Sequence, residues 1–138
     1  MSHLVDGFSQ TLNPLFALAL GVCAWKQLPR PLVYGWLARV LVAILLVEVL
    51  TKAVRHFHLV DKQFPSTHYV FALAVAGAFW ALGRRFVPVT LAFLAAYAIL
   101  MLVRAYHTPL DLAGALPSFP LGFLAARGGT RRAQIQSE

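Results

Sequence analysis

Apolar residues in this chain come in long runs, and short polar segments separate them. The first run, Leu12 to Trp25, is short for a membrane crossing, which takes about 20 residues, so its helix is expected over 8–25. Lys26-Gln27-Leu28-Pro29-Arg30-Pro31 then makes a basic, proline-broken turn. Further runs predict helices over 32–50, 65–82, 86–103 and 109–126. The separators are a polar loop over 51–64, a tight turn at Gly83-Arg84-Arg85 and a polar joint over 104–108. A basic, frayed tail follows from Arg127. There is no strand-like alternation and no internal repeat.

Composition turns this pattern into a class. Hydrophobic residues are 59% and charged residues 12% of 138, and mean hydropathy is +0.70. A soluble domain carries about 25% charged residues, so this chain has too few to cover a water-facing surface. The expectation is one all-α domain over 1–138, an integral membrane bundle of five helices. The lone Cys23 excludes a disulfide framework, and the N-terminus shows no basic region or cleavage pattern of a signal peptide.

Charge gives orientation. Five crossings put the termini on opposite sides. Lys26, Arg30, Arg84, Arg85, Arg127, Arg131 and Arg132 then all fall on one side, which the positive-inside rule makes cytoplasmic. The N-terminus, the 51–64 loop and the 104–108 joint face outward, into the periplasm of a bacterial-type inner (plasma) membrane. The net charge of +7 reads as topology and attraction to anionic lipid rather than to nucleic acid. The outward face still keeps Lys52, Arg55, Lys62 and Arg104. A bound anion would explain these cations, although loosely constrained polar loops would also hold them.

Two outward segments carry the candidate chemistry: Phe64-Pro65-Ser66-Thr67-His68, and Arg104-Ala105-Tyr106-His107-Thr108-Pro109-Leu110-Asp111. Ser66 or Thr67 can cap the third helix. Thr108, followed by Pro109 and with Asp111 three residues on, makes a capping-box-like start for the fifth. Both helix starts aim amide N–H groups and a positive dipole end at one region, as phosphate sites do. Asp111 lies one helical turn after His107, so its carboxylate can reach back to one ring nitrogen and leave the other to attack. His68 would protonate a leaving oxygen, and Arg104, Lys52 and Arg55 would neutralise the phosphoryl oxygens. Glu48, one turn before Lys52, is suited to anchor it. His56 and His58 could join the other two histidines as metal ligands, but the spacing fixes no geometry for them. The expectation is a site without metal or other cofactor.

These two segments resemble motifs of the type 2 phosphatidic-acid phosphatase superfamily, membrane histidine phosphatases and phosphotransferases acting on lipid phosphates. Pro65-Ser66-Thr67-His68 is similar to the family's Pro-Ser-Gly-His, and His107-Thr108-Pro109-Leu110-Asp111 to its His-x-x-x-Asp segment; the resemblance covers about residues 48–122. It implies a phosphatase-superfamily-like helical core. It also implies His107 as the nucleophile that forms a phosphohistidine, Asp111 as its orienting partner and His68 as the general acid. Ser66 and Thr67 would contact phosphate, and Lys52 would match the family's first-motif Lys. The chain departs from the pattern in four places. Leu59 and Val60 stand where the family has Arg-Pro, leaving Arg55 or Lys62 as substitutes. Arg104 is three rather than six residues before the His. Thr67 replaces a Gly, and five spans stand where six are usual.

The leading expectation is thus a phosphatase of membrane lipid phosphates, with the bilayer and its substrate as partners. A phosphotransferase with the same site and a non-catalytic lipid-binding protein are the alternatives. A bundle of this size is also compatible with pairing of two copies.

Overall fold

The computed structural model describes residues 2–57 and 64–136. They form six helices: α1 Ser2–Gln27, α2 Arg30–His56, α3 Thr67–Leu82, α4 Val87–Val103, α5 Pro109–Ala113 and α6 Ser118–Gln136. A 3-10 turn, Arg84–Phe86, leads into α4, and there is no strand among the described residues. Three stretches are long and apolar enough to cross a membrane: Arg30–His56, Arg84–Val103 and Pro109–Arg131. The chain is therefore a helical membrane protein. The apolar α3 has 16 residues, about 24 Å at the usual rise.

α3 is the axis of the bundle. Val70 and every residue from Ala72 to Phe79 are buried, so it is enclosed on all sides by helices rather than facing lipid. α2 shows the opposite pattern. Val33, Trp36, Val40, Ile44, Val47 and Thr51 form a buried stripe at helical spacing, while Leu41, Val42, Leu45 and Leu46 between them are exposed. In a bilayer that outer face meets lipid, where exposed leucine costs nothing.

Small residues let α6 lie directly on α3. A side chain at Gly77 would strike the backbone of Phe119 and Phe123, and one at Gly122 would strike the backbone of Ala74. This is the close approach that glycines permit between membrane helices. On the other flank of α6, the buried indole of Trp36 donates to the Ala126 carbonyl at 2.8 Å and packs against Gly129. Phe16 of α1 stacks on Phe79 of α3 at 5.2 Å and on Phe93 of α4 at 4.1 Å.

Several expected boundaries move. α2 continues to His56, so Lys52, Arg55 and His56 stand on its last turns and not in a loop. No Gly or Pro falls between Trp36 and His56 to end the helix, and the Glu48–Lys52 pair supports it. The helix expected over 109–126 is broken: α5 ends at Ala113, and turns lead to α6 at Ser118. Pro117 lacks an amide donor and disfavours helix at the residue before it, and the Ser118 hydroxyl donates to the Ala115 carbonyl at 2.6 Å. The tail expected to fray from Arg127 is helical to Gln136, held where Gly128 and Gly129 pack against α2.

The connection at Leu28-Pro29, the Gly83–Phe86 turn and the last turns of α6 share one end of the bundle. The end of α2, the start of α3 and the joint between α4 and α5 share the other.

Candidate functional site

The site is assembled where three helix ends meet. α4 stops at Val103, and the chain reverses through Ala105, whose φ of 54° lies in the left-handed region that non-glycine residues seldom enter. The Tyr106 amide donates back to the Met101 carbonyl at 3.1 Å. This turn delivers His107 and Thr108 to the start of α5.

Thr108 and Asp111 form the expected capping box. The Thr108 amide donates to Asp111 Oδ2 at 2.7 Å and its hydroxyl donates to the same oxygen at 2.9 Å, while the Asp111 amide donates to Thr108 Oγ1 at 3.3 Å. The carboxylate oxygen that faces His107 is therefore already engaged. His107 Nδ1 lies 3.8 Å from Asp111 Oδ2, short of a hydrogen bond. That nitrogen is buried with no hydrogen-bond partner. The expected His–Asp pair is thus juxtaposed but not closed.

A backbone bond fastens the second segment to the first: the Ser66 amide donates to the Asp111 carbonyl at 3.1 Å. Ser66 caps α3 by accepting from the Tyr69 amide at 3.4 Å, and its hydroxyl donates to Met101 Sδ at 3.8 Å. Fully buried, Ser66 has neither its amide nor its hydroxyl open to a ligand, which corrects its expected contact with phosphate. The same holds for the amides of Thr108 and Asp111. The amides of Ser66, Tyr69, Thr108 and Asp111 are thus taken up within the two segments, and the nearby side-chain cations are Lys52 and Arg55.

At the start of α3, the His68 carbonyl accepts from Asn13 Nδ2 at 3.1 Å. His68 lines a cleft of about 270 Å³ with Thr67, Asn13, Glu48, Lys52 and Phe71. Lys52 Nζ pairs with Glu48 at 2.9 Å, as the spacing predicts, and its exposed end overhangs the opening. Asn13, which the sequence pattern does not single out, sits inside the first apolar run. A polar residue within an apolar run is the signal in the sequence that points to it. Its Oδ1 is buried without a partner.

His107 is not in the lining of this cleft; electrostatics ties it to the rest. Burial pushes its pKa below the ordinary 6.5. The Asp111 carboxylate opposes that, and the charges of His68 and Arg55 add to it. Both histidines and Arg55 thus share one field, and the His107 ring is neutral at neutral pH.

Arg104 is not brought in by any contact. It ends α4 through its backbone, its side chain is exposed, and it makes no side-chain hydrogen bond or ion pair among the described residues. Lys62 and His58 lie outside the described residues. No three of His, Cys, Asp or Glu gather as a metal site among the described residues.

The arrangement offers a neutral, partly buried imidazole beside a carboxylate, a second imidazole at a cleft, and two cations on the last turns of α2. No family model matches the chain, and neither a curated protein nor a solved structure does.

Proposed function

We propose that this protein is a membrane phosphatase that releases phosphate from lipid phosphates through a phosphohistidine. The observation that carries the reading is the Ser66–Asp111 backbone bond, which fastens the two histidine segments together although they are far apart in sequence. His107 attacks phosphorus with Nε2, since Nδ1 is turned to Asp111. The phosphorus–oxygen bond to the lipid breaks, and His68 protonates the departing oxygen. Water then attacks the phosphohistidine, His68 takes its proton, and inorganic phosphate leaves. Lys52 and Arg55 neutralise the phosphoryl oxygens. Asp111 stabilises the positive charge that His107 gains on attack.

In this reading α1, α2, α3, α4 and the broken α5–α6 unit make five crossings. The site faces outward, and the lipid tails remain in the bilayer while the headgroup reaches the cleft. The test is phosphate release from a panel of lipid phosphates in detergent with excess chelator. Release should persist with chelator and fall by about a hundredfold or more in His107→Ala and in His68→Ala. Release that requires added metal, or that survives His107→Ala, overturns the phosphohistidine. Transfer of phosphate only to an added lipid acceptor would make the enzyme a phosphotransferase with the same first step.

A further inference from the structure

A second cleft lies at the other end of the bundle from the histidines. It encloses about 580 Å³ between the end of α1, the end of α3 and the last turns of α6. Arg127, Thr130 and Arg131 of α6 form one wall, with Gln27 opposite; Leu28 and Trp80 supply apolar surface. Arg127 and Arg131 stand one helical turn apart, so both guanidinium groups reach the same opening. The ring of Phe123, 5.7 Å from the Arg127 guanidinium carbon, steadies that side chain from beneath. Among the described residues neither arginine meets a carboxylate. The described acidic side chains, Glu48 and Asp111, belong to the histidine end.

Depth identifies the occupant. Two of the candidate spans begin at Arg30 and Arg84 and a third ends at Arg131, so the cleft sits at the level where headgroups meet the hydrocarbon. Trp80 is an aromatic of the kind enriched at that boundary; its indole donates to Thr90 at 2.6 Å and is held in place. Unpaired guanidinium groups over an apolar wall match a phosphate diester attached to acyl chains. A zwitterionic headgroup brings its own cation to the same place and is disfavoured.

We propose that this cleft binds the phosphate of an anionic phospholipid from the leaflet opposite the histidine site. The site is independent of the phosphatase reading and stands whether or not the histidines turn over. The test is native mass spectrometry of the full chain in neutral detergent with phosphatidylglycerol or phosphatidylcholine. The chain should retain phosphatidylglycerol in preference. Arg127→Ala/Arg131→Ala should weaken that retention roughly thirtyfold, at about one decade or less per surface cation. Arg84→Ala/Arg85→Ala removes the same charge from the same end without touching the cleft's lining and should weaken retention about threefold or less. Equal losses in the two double variants would mean diffuse surface attraction and overturn the site, as would undiminished retention without Arg127 and Arg131. A second arm titrates inorganic phosphate in the absence of lipid. Saturable binding lost with Arg127 and Arg131 would make the ligand a free anion and overturn the lipid assignment.

Discussion

At the scale of single residues, His107 is the nucleophile of the proposed reaction, and its surroundings decide its charge. Burial, His68 and Arg55 lower its pKa and Asp111 opposes them, so the attacking, neutral form persists below the ordinary 6.5. The acid limb of the phosphate-release profile should therefore lie below pH 6.5. Asp111→Asn removes the one opposing charge, so it should move that limb to still lower pH while lowering turnover by about a hundredfold or more. A limb that moves up, or stays in place, would show that the carboxylate does not act on this ring. Stability carries the same sign. As pH falls below 6.5 the unfolded chain takes up a proton at this position before the folded chain does, so stability declines until the folded pKa is reached. The spacing of His107 and Asp111 was legible in the sequence, and so was the Glu48–Lys52 pair. Spacing could not reveal that Thr108 competes for the same carboxylate oxygen. One oxygen has both a capping and an orienting use within reach, and only the backbone geometry of the turn at Ala105 decides which is nearer. Asn13 gives a second check. Its Nδ2 holds the His68 carbonyl, so Asn13→Ala should lower turnover more than it lowers the affinity for substrate, measured as separate changes in kcat and KM.

At the scale of elements, the contact that fixes the site is the seam between α3 and α6. α3 carries Thr67 and His68 at its start, and α6 follows from the α5 segment that carries Asp111; the seam holds both segments in register. Gly122 lies against the backbone of Ala74, which cannot give way as a flexible side chain can. Gly122→Leu should therefore destabilise the bundle by about 3 kcal/mol, the upper range for overpacking a tight core, and lower the unfolding temperature in detergent. An unchanged unfolding temperature would mean that the two backbones do not meet there. Gly77 and Gly122 were readable as sites of close helix approach because small residues in apolar runs suggest it. The break between α5 and α6 was not. Hydropathy averages over a window and Pro is common within membrane helices, so Pro117 alone did not show an interruption. The bond from Ser118 to Ala115 that settles the turn is invisible to a hydropathy count. The helical tail was hidden for a different reason. Its order depends on Trp36 and Arg39, some ninety residues earlier, packing against Gly129.

At the scale of the whole molecule, the two ends differ in both charge and chemistry. Lys26, Arg30, Arg84, Arg85, Arg127 and Arg131 mark one end; the histidines, Glu48 and Asp111 mark the other. A membrane crossing was legible from composition alone, because 12% charged residues cannot solvate a chain of this length. The role of α3 was harder to read. It and α4 are similarly apolar runs in the sequence, yet α3 is enclosed by its neighbours while α4 buries only the stripe of Thr90, Leu94, Tyr97 and Met101. Hydropathy does not distinguish a helix surrounded by protein from one surrounded by lipid. The proposed orientation follows from the charge difference: cytosolic anionic lipid and the positive-inside rule both hold the basic end on the cytoplasmic side. In a Cys23→Ser background, Arg85→Cys should be shielded from a membrane-impermeant thiol reagent added to intact cells. Tyr106→Cys, on the exposed joint at the other end, should react. Labelling of both from outside, or of Arg85→Cys alone, would overturn the orientation. Orientation then constrains function. If Tyr106→Cys labels from outside, a lipid phosphate added to intact spheroplasts should be hydrolysed with phosphate appearing in the medium, and a sealed inverted vesicle should hydrolyse it only after detergent opens the bilayer.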